Sequence, residues 1–82
     1  MKTEYQYIRF DENPFVDRDR PSATSKWFCV NLRSEEAIGD VRWYGAWRQY
    51  CFFPYPETVF SAGCLKDVQE FIEALMAERR KP

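Results

Sequence analysis

Two arginines set among four rings are the part of this sequence best equipped to do chemistry. Arg42, Trp43, Tyr44, Trp47, Arg48 and Tyr50 all fall between positions 42 and 50. A guanidinium beside exposed rings can stack on nucleobases, clamp phosphate or form the hot spot of a protein interface. The same residues can also fill a core, with each arginine laying its stem over a ring at the sheet margin. The stretch WYGAWRQYCFFPYP, residues 43 to 56, holds seven rings, so both uses have material.

Other chemistries find little support. The chain has no histidine, and its three cysteines, Cys29, Cys51 and Cys64, show no C-x-x-C spacing, which argues against zinc and against a disulfide framework. Buried thiols in a reducing compartment are the expected use. Cys64 lies near a helix start, where a thiolate is favoured, but no histidine can activate it, and its place on an apolar stripe points to packing. Asp11, Glu12, Asp17 and Asp19 crowd a loop-like stretch, whereas acid–base catalysis needs rigid placement. Only Gly39, Gly45 and Gly63 are glycine, too few for a phosphate-cradling loop. The residues point to no cofactor, no metal and no catalytic set, and the chain is read as non-enzymatic.

Twelve basic against thirteen acidic side chains leave a formal charge of −1, which excludes a strongly basic nucleic-acid binder and an acidic DNA mimic. No apolar run approaches a membrane span, and a cytoplasmic protein with no membrane contact is expected. Eighty-two residues make one small domain, with 18% aromatic residues supplying the buried area that a short chain otherwise lacks.

The elements that must position the rings follow from periodicity. TEYQYIRF (3–10) alternates as a strand, with Gln6, Ile8 and Phe10 opposite Tyr5, Tyr7 and Arg9. Residues 11–25 collect Asp, Asn, Pro and Ser without a period and read as a mobile loop in which Phe15 and Val16 are an anchor or a sticky spot. KWFCVNLR (26–33) is a strand whose better core face is Phe28, Val30 and Leu32. IGDVRWY (38–44) and WRQYCFF (47–53) form a hairpin, and Gly45–Ala46 suits a two-residue type II′ turn. That turn pairs Tyr44 with Trp47 and Val41 with Tyr50. One face then carries Val41, Trp43, Tyr50 and Phe52 with Arg48, and the other Ile38, Tyr44, Trp47 and Phe53 with Asp40, Arg42 and Gln49. PYPE ends the strand.

From Cys64 onward, Leu65, Val68, Phe71, Ile72, Leu75 and Met76 mark one face of a helix, with Ser61 as its cap, Asp67 in its first turns and Arg79, Arg80 and Lys81 at its end. The fold class is α+β, an antiparallel sheet of about four strands with one C-terminal helix on one face. One helix covers one side, so the rings on the other side are open, covered by the 11–25 loop or buried by a partner. A homodimer at micromolar concentration is expected on that ground.

The run IGDVRWYGAWRQYCFFP, followed by ETVFSAGCLKDVQEFIEAL, resembles small phage and prophage proteins with the pattern LG-x-I-x-W-Y…W-R-x-Y-x-F-x-P, a Thr–Val–Phe–Ser segment and a helix from Cys–Leu. Gly39, Val41, Trp43, Tyr44, Trp47, Arg48, Tyr50, Phe52, Pro54, Phe60, Cys64 and Leu65 match, and Ile38 stands where Leu is usual. The likeness spans about residues 27 to 77. It implies a viral setting and carries over no catalytic residue. In that setting the resemblance implies a binding protein that engages a host protein or a host defence component, and the interleaving of rings and arginine makes Arg42, Trp43, Tyr44, Trp47, Arg48 and Tyr50 its expected contacts. The alternative is a nucleotide or single-stranded nucleic-acid binder that stacks bases on the same rings.

Overall fold

A computed structural model describes residues 1–13 and 25–80 of the chain. It holds four strands, β1 (Ile8–Glu12), β2 (Trp27–Asn31), β3 (Ala37–Tyr44) and β4 (Gln49–Pro54), followed by one helix, α1 (Ala62–Arg80). The strands form a single antiparallel sheet in the order β1-β2-β3-β4. This is the expected α+β architecture. Most of the loop expected at 11–25, including Phe15, Val16, Asp17 and Asp19, lies outside the described residues; Asp11 and Glu12 belong to β1.

The helix starts where the sequence invites it. The Ser61 hydroxyl accepts the Cys64 N–H at 3.2 Å and its carbonyl accepts the Leu65 N–H at 3.0 Å, which satisfies donors that the first turn leaves open. Arg79 and Arg80 occupy the last turn, where cations suit the dipole. Val68, Phe71 and Leu75 are buried, and Ile72 and Met76 pack beside them. Leu65 departs from the expected stripe: it is 52% exposed, and the buried position at this end is Cys64. Asp67 is buried too, and its carboxylate accepts the Tyr7 N–H at 2.8 Å.

The core lies between α1 and one sheet face, where Ile8, Phe10, Cys29, Val41 and Tyr50 meet Cys64, Val68, Phe71 and Leu75. Phe10 and Phe71 stack with centroids 3.9 Å apart, and Tyr5 and Trp27 set their rings edgewise to Phe71. Gly39 gives this face room. A Cβ there would lie 2.5 Å from the Phe52 ring and 2.9 Å from the Phe53 carbonyl oxygen.

Three local expectations are corrected. The N-terminal strand begins at Ile8, not Thr3, because the chain folds back on itself. The Tyr5 N–H donates to the Ile8 carbonyl at 2.8 Å and the Phe10 N–H to the Thr3 carbonyl at 2.7 Å. Tyr5 therefore joins Ile8 and Phe10 in the core instead of facing away from them. In β2 the side that meets the helix is Trp27 and Cys29, not Phe28 and Leu32; Val30 is buried as expected, but outside the helix-side cluster. Cys29 is fully buried against the helix side, while Phe28 pairs with Asp11 and Asp40 on the opposite face. A register shift between Cys29 and Val30 separates the two ends of β2, and Leu32 belongs to the following turn.

The third correction concerns the hairpin. Tyr44 pairs with Gln49 and Trp43 with Tyr50, so the loop holds four residues, 45–48, rather than two. No glycine has positive φ; the left-handed residue is Arg48, at φ 53°. The Trp47 N–H reaches the Tyr44 carbonyl at 3.2 Å and the Arg48 N–H the Gly45 carbonyl at 3.3 Å, consecutive turns that end in the left-handed residue. Relative to the expected pairing the strands are offset by an even number of residues, which leaves the paired side chains from Asp40 to Tyr44 and from Gln49 to Phe53 on their expected faces. Trp47 and Arg48 move into the turn, and Ile38, expected on the face away from the helix, packs against the core.

Candidate functional site: an open sheet face of rings and arginine

Alternation along β3 and β4 sorts the hairpin side chains into two sets. Val41, Trp43, Tyr50 and Phe52 turn toward the helix. Trp43 is half-buried, meets Tyr50 edgewise at 5.5 Å and lies under the Arg79 guanidinium, 4.0 Å from its ring centroid. Tyr50 is buried, and its hydroxyl lies 3.2 Å from Ser25 Oγ, which also accepts the Trp27 indole N–H at 3.0 Å. Of the six residues singled out in the sequence, these two belong to the covered side, and the buried Tyr50 offers little surface to a partner.

Arg42, Tyr44 and Trp47 are brought together on the opposite, open side. The Arg42 guanidinium lies flat over Phe53 with Cζ 3.6 Å from the ring centroid. Tyr44 sets its edge to Phe53 at 5.9 Å and to Trp47 at 5.0 Å. Trp47, at the hairpin tip, is 66% exposed. Arg48 stands next to it in the turn, exposed, its backbone held in the left-handed region.

The open face also holds residues that the sequence pattern did not single out as contacts. Phe28 sits between Asp11 and Asp40, and Asp40 is paired in turn with Phe53, which makes a row across all four strands. Asp11 forms an ion pair with Arg9 at 3.2 Å. The Tyr55 hydroxyl donates to Asp40 at 2.6 Å, and this bond, with burial and the carboxylate charge, pushes the Tyr55 pKa up to about 12. The available signal was the alternation of β2: once Cys29 is assigned inward, Phe28 must point out.

Both sheet edges are partly occupied. In an antiparallel ladder the backbone groups of a strand point alternately toward and away from the neighbour. On β1 the outward groups of Ile8 and Phe10 are taken by Tyr5 and Thr3. On β4 the outward Tyr50 N–H is met by Met76 Sδ at 3.5 Å, and Pro54 has no N–H to offer. Accretion of another strand is blocked at these positions, and among the described residues the rings most exposed on this side are Trp47 and Tyr44.

The thiols are free. Cys29 is fully buried, and burial, reinforced by the Cys64 thiol and the Asp67 carboxylate, raises its pKa to about 12. Cys51 is half-exposed beside Arg42 on the open face. Cys64 lines a hollow of about 250 Å³ with Gln6, Tyr7, Asn31, Leu32 and Arg33, away from the ring cluster. Among the described residues, no group of three or more Cys, Asp or Glu side chains is placed to hold a metal ion, and no helix is long and apolar enough to cross a membrane.

No known protein family's profile matches the chain, and no solved structure is found to match it. The chain is similar to an "Uncharacterized 9.3 kDa protein" of Acholeplasma phage L2, with 29% identity over 52 residues that span 63% of this chain and 67% of the phage protein.

Proposed function

We propose that this is a non-enzymatic, phage-derived binding protein that engages a host protein, such as a component of host defence, through the open face of its sheet. The observation that carries the reading is the cluster Arg42–Phe53–Tyr44–Trp47. An arginine already stacked on one ring, beside two further rings of which one is largely exposed, has the composition of an interface hot spot. The partly occupied edges favour contact through side chains over strand addition. The likeness to a phage protein supports a host partner.

A second reading, stacking of a nucleotide or single-stranded nucleic acid, draws on the exposed Trp47 and the neighbouring Arg48. Asp11 and Asp40 on the same face work against phosphate. A flat sheet is also a poor receptacle for a free nucleotide, since small-molecule sites are concave.

The test is capture from host lysate by the wild type beside Arg42→Ala and Trp47→Ala, with the bound species identified by mass spectrometry. The reading expects one protein that both variants lose while their circular dichroism stays native. Retention by both variants would overturn it. A salt series separates the two readings: nucleic-acid affinity falls steeply as counterions are released, whereas contact through desolvated rings barely changes.

A further inference from the structure

The charges of the open face alternate along its inner strand. Asp40 and Arg42 lie two positions apart on β3, and both point away from the helix, since their cross-strand partners are Phe53 and Cys51. Asp40 belongs to the row Asp11–Phe28–Asp40–Phe53. The adjacent row holds Arg42 and, by alternation from the inward Trp27, Lys26. One row is acidic with two rings; the next is basic.

We propose that this face is self-complementary and closes a two-fold homodimer of the chain. The proposal rests on the reading of the open face as a contact surface and names a second copy as an occupant that competes with the host partner. A two-fold axis that crosses β3 between Asp40 and Arg42, in the plane of the interface, sets Asp40 of one copy over Arg42 of the second, and the reverse pair follows by symmetry. The same operation lays Phe28 of each copy beneath the Lys26 ammonium of the other. An axis along the strands would instead set the acidic row over itself, with Asp40 over Phe28 and no charge match.

Three further observations favour a second copy. Part of each sheet edge is already occupied, by Tyr5 and Thr3 on β1 and by Met76 on β4, which favours face-to-face packing over strand pairing. A formal charge of −1 gives little long-range repulsion between copies. Among the described residues no ion pair is formed by Arg42; its guanidinium rests on the Phe53 ring. The patch is small. Four strands about 4.8 Å apart and five residues of about 3.3 Å each give roughly 300 Å² in plan. Standard interfaces bury ~800 Å² per partner. A weak, concentration-dependent dimer is therefore expected, one that opens the face to a host partner on dilution.

Sedimentation equilibrium of the purified protein, from low to high micromolar concentration, should show mass rising from the 9.9 kDa monomer toward twice that value. Asp40→Arg and Arg42→Asp should each weaken association about tenfold or more, because each sets like charges against each other twice. An equimolar mixture of the two variants should recover it, since position 40 of each chain then meets an opposite charge at position 42 of the other. Wild type that stays monomeric throughout overturns the proposal, as do single variants that associate normally or a mixture that does not recover. Asp40→Arg also removes the Tyr55 partner. If that variant does not fold, wild type mixed from labelled and unlabelled chains decides: contacts between copies at Phe28 and Phe53 support the face, and a dimer without them overturns it. Host capture in the lysate experiment is read separately. A monomer that still captures a host protein sinks this inference alone, and a dimer that captures none sinks only the host reading.

Discussion

The two faces of the hairpin are built from the same residue types on the same strands, yet they hold different structures. On the helix side, Trp43, Tyr50 and Phe52 pack against one another and against α1, and Ser25 takes up the Tyr50 hydroxyl. On the open side, Tyr44, Trp47 and Phe53 pack edgewise among themselves, with the Arg42 guanidinium laid over Phe53. Aromatic content alone does not distinguish core from contact surface. The difference comes from which face receives the one helix, and from the charged residues interleaved with the rings. Asp40 and Arg42 alternate with Val41, and two charges in a row of three cannot face the interior without large desolvation cost.

The comparison breaks most readily on the covered side. Phe71 has no exposed surface and touches Phe10, Tyr5 and Trp27. Phe71→Ala should cost about 3–5 kcal/mol, a large part of the stability of a domain this small. Urea denaturation should show a strongly lowered midpoint or no folded baseline. A midpoint near that of wild type would mean that α1 does not hold the sheet as described.

Next in size is Gly39→Ala, on the same face but acting through the backbone. The new Cβ would meet the Phe52 ring and the Phe53 carbonyl oxygen, and the carbonyl cannot rotate away. Overpacking of this kind costs about 1–3 kcal/mol. The same exchange at Gly45 meets nothing within 4 Å and serves as the control. Equal urea midpoints for the two variants would refute the close approach of Phe52 to β3.

What the sequence revealed follows the same division. The helix and its cap were legible because Val68, Phe71, Leu75 and Ser61 obey local rules that tertiary context rarely overrides. The two hairpin faces were legible for a subtler reason. The pairing offset is even, so Trp43 still falls with Tyr50 and Arg42 with Phe53 although the turn is longer than its residues suggest. The turn itself was not legible, because its left-handed position is Arg48, a residue with no preference for that region, while Gly45 advertised a tighter loop. In β2 both alternating sets are apolar, and a cysteine against a phenylalanine does not declare which is inward. Tyr5 was hidden by an alternation that runs unbroken through the point where the chain reverses.

Alkaline pH supplies a further test, of Cys29 on the covered side and of Tyr55, whose hydroxyl meets Asp40 on the open side. Cys29 and Tyr55 have their pKa values raised from 9.0 and 10.0, each to about 12. Both shifts keep the group protonated in the folded state after it would ionise in the unfolded chain. The stability they contribute is full below pH about 9 and is lost as pH rises toward 12, at up to ~1.4 kcal/mol per pH unit for the buried Cys29 and at less for Tyr55, whose charge solvent screens. Urea midpoints should be level from pH 7 to about 8.5 and fall above 9. Cys29→Ala should delay the fall until about pH 10, where Tyr55 takes over. An unchanged onset would show that the thiol is not buried as placed.

The smallest effect on folding is expected at Trp47, and it separates the two faces most sharply. A tryptophan is the largest side chain a truncation can remove, and in a core its loss costs ~3–5 kcal/mol. Here the ring is two-thirds exposed at the hairpin tip, and its described ring contact is the edge of Tyr44. Trp47→Ala should therefore shift the urea midpoint by no more than about 0.5–1 kcal/mol of stability, the value of one aromatic pair. Any partner that uses the open face should lose at least ~2 kcal/mol of affinity from the same substitution. Trp43→Ala, four positions earlier and on the covered side, should do the reverse: it destabilises the fold and affects binding only through that loss. Circular dichroism and urea midpoints on this pair can be measured before a partner is in hand. If Trp47→Ala proves as destabilising as Trp43→Ala, the tip ring is structural and the open face loses its best anchor.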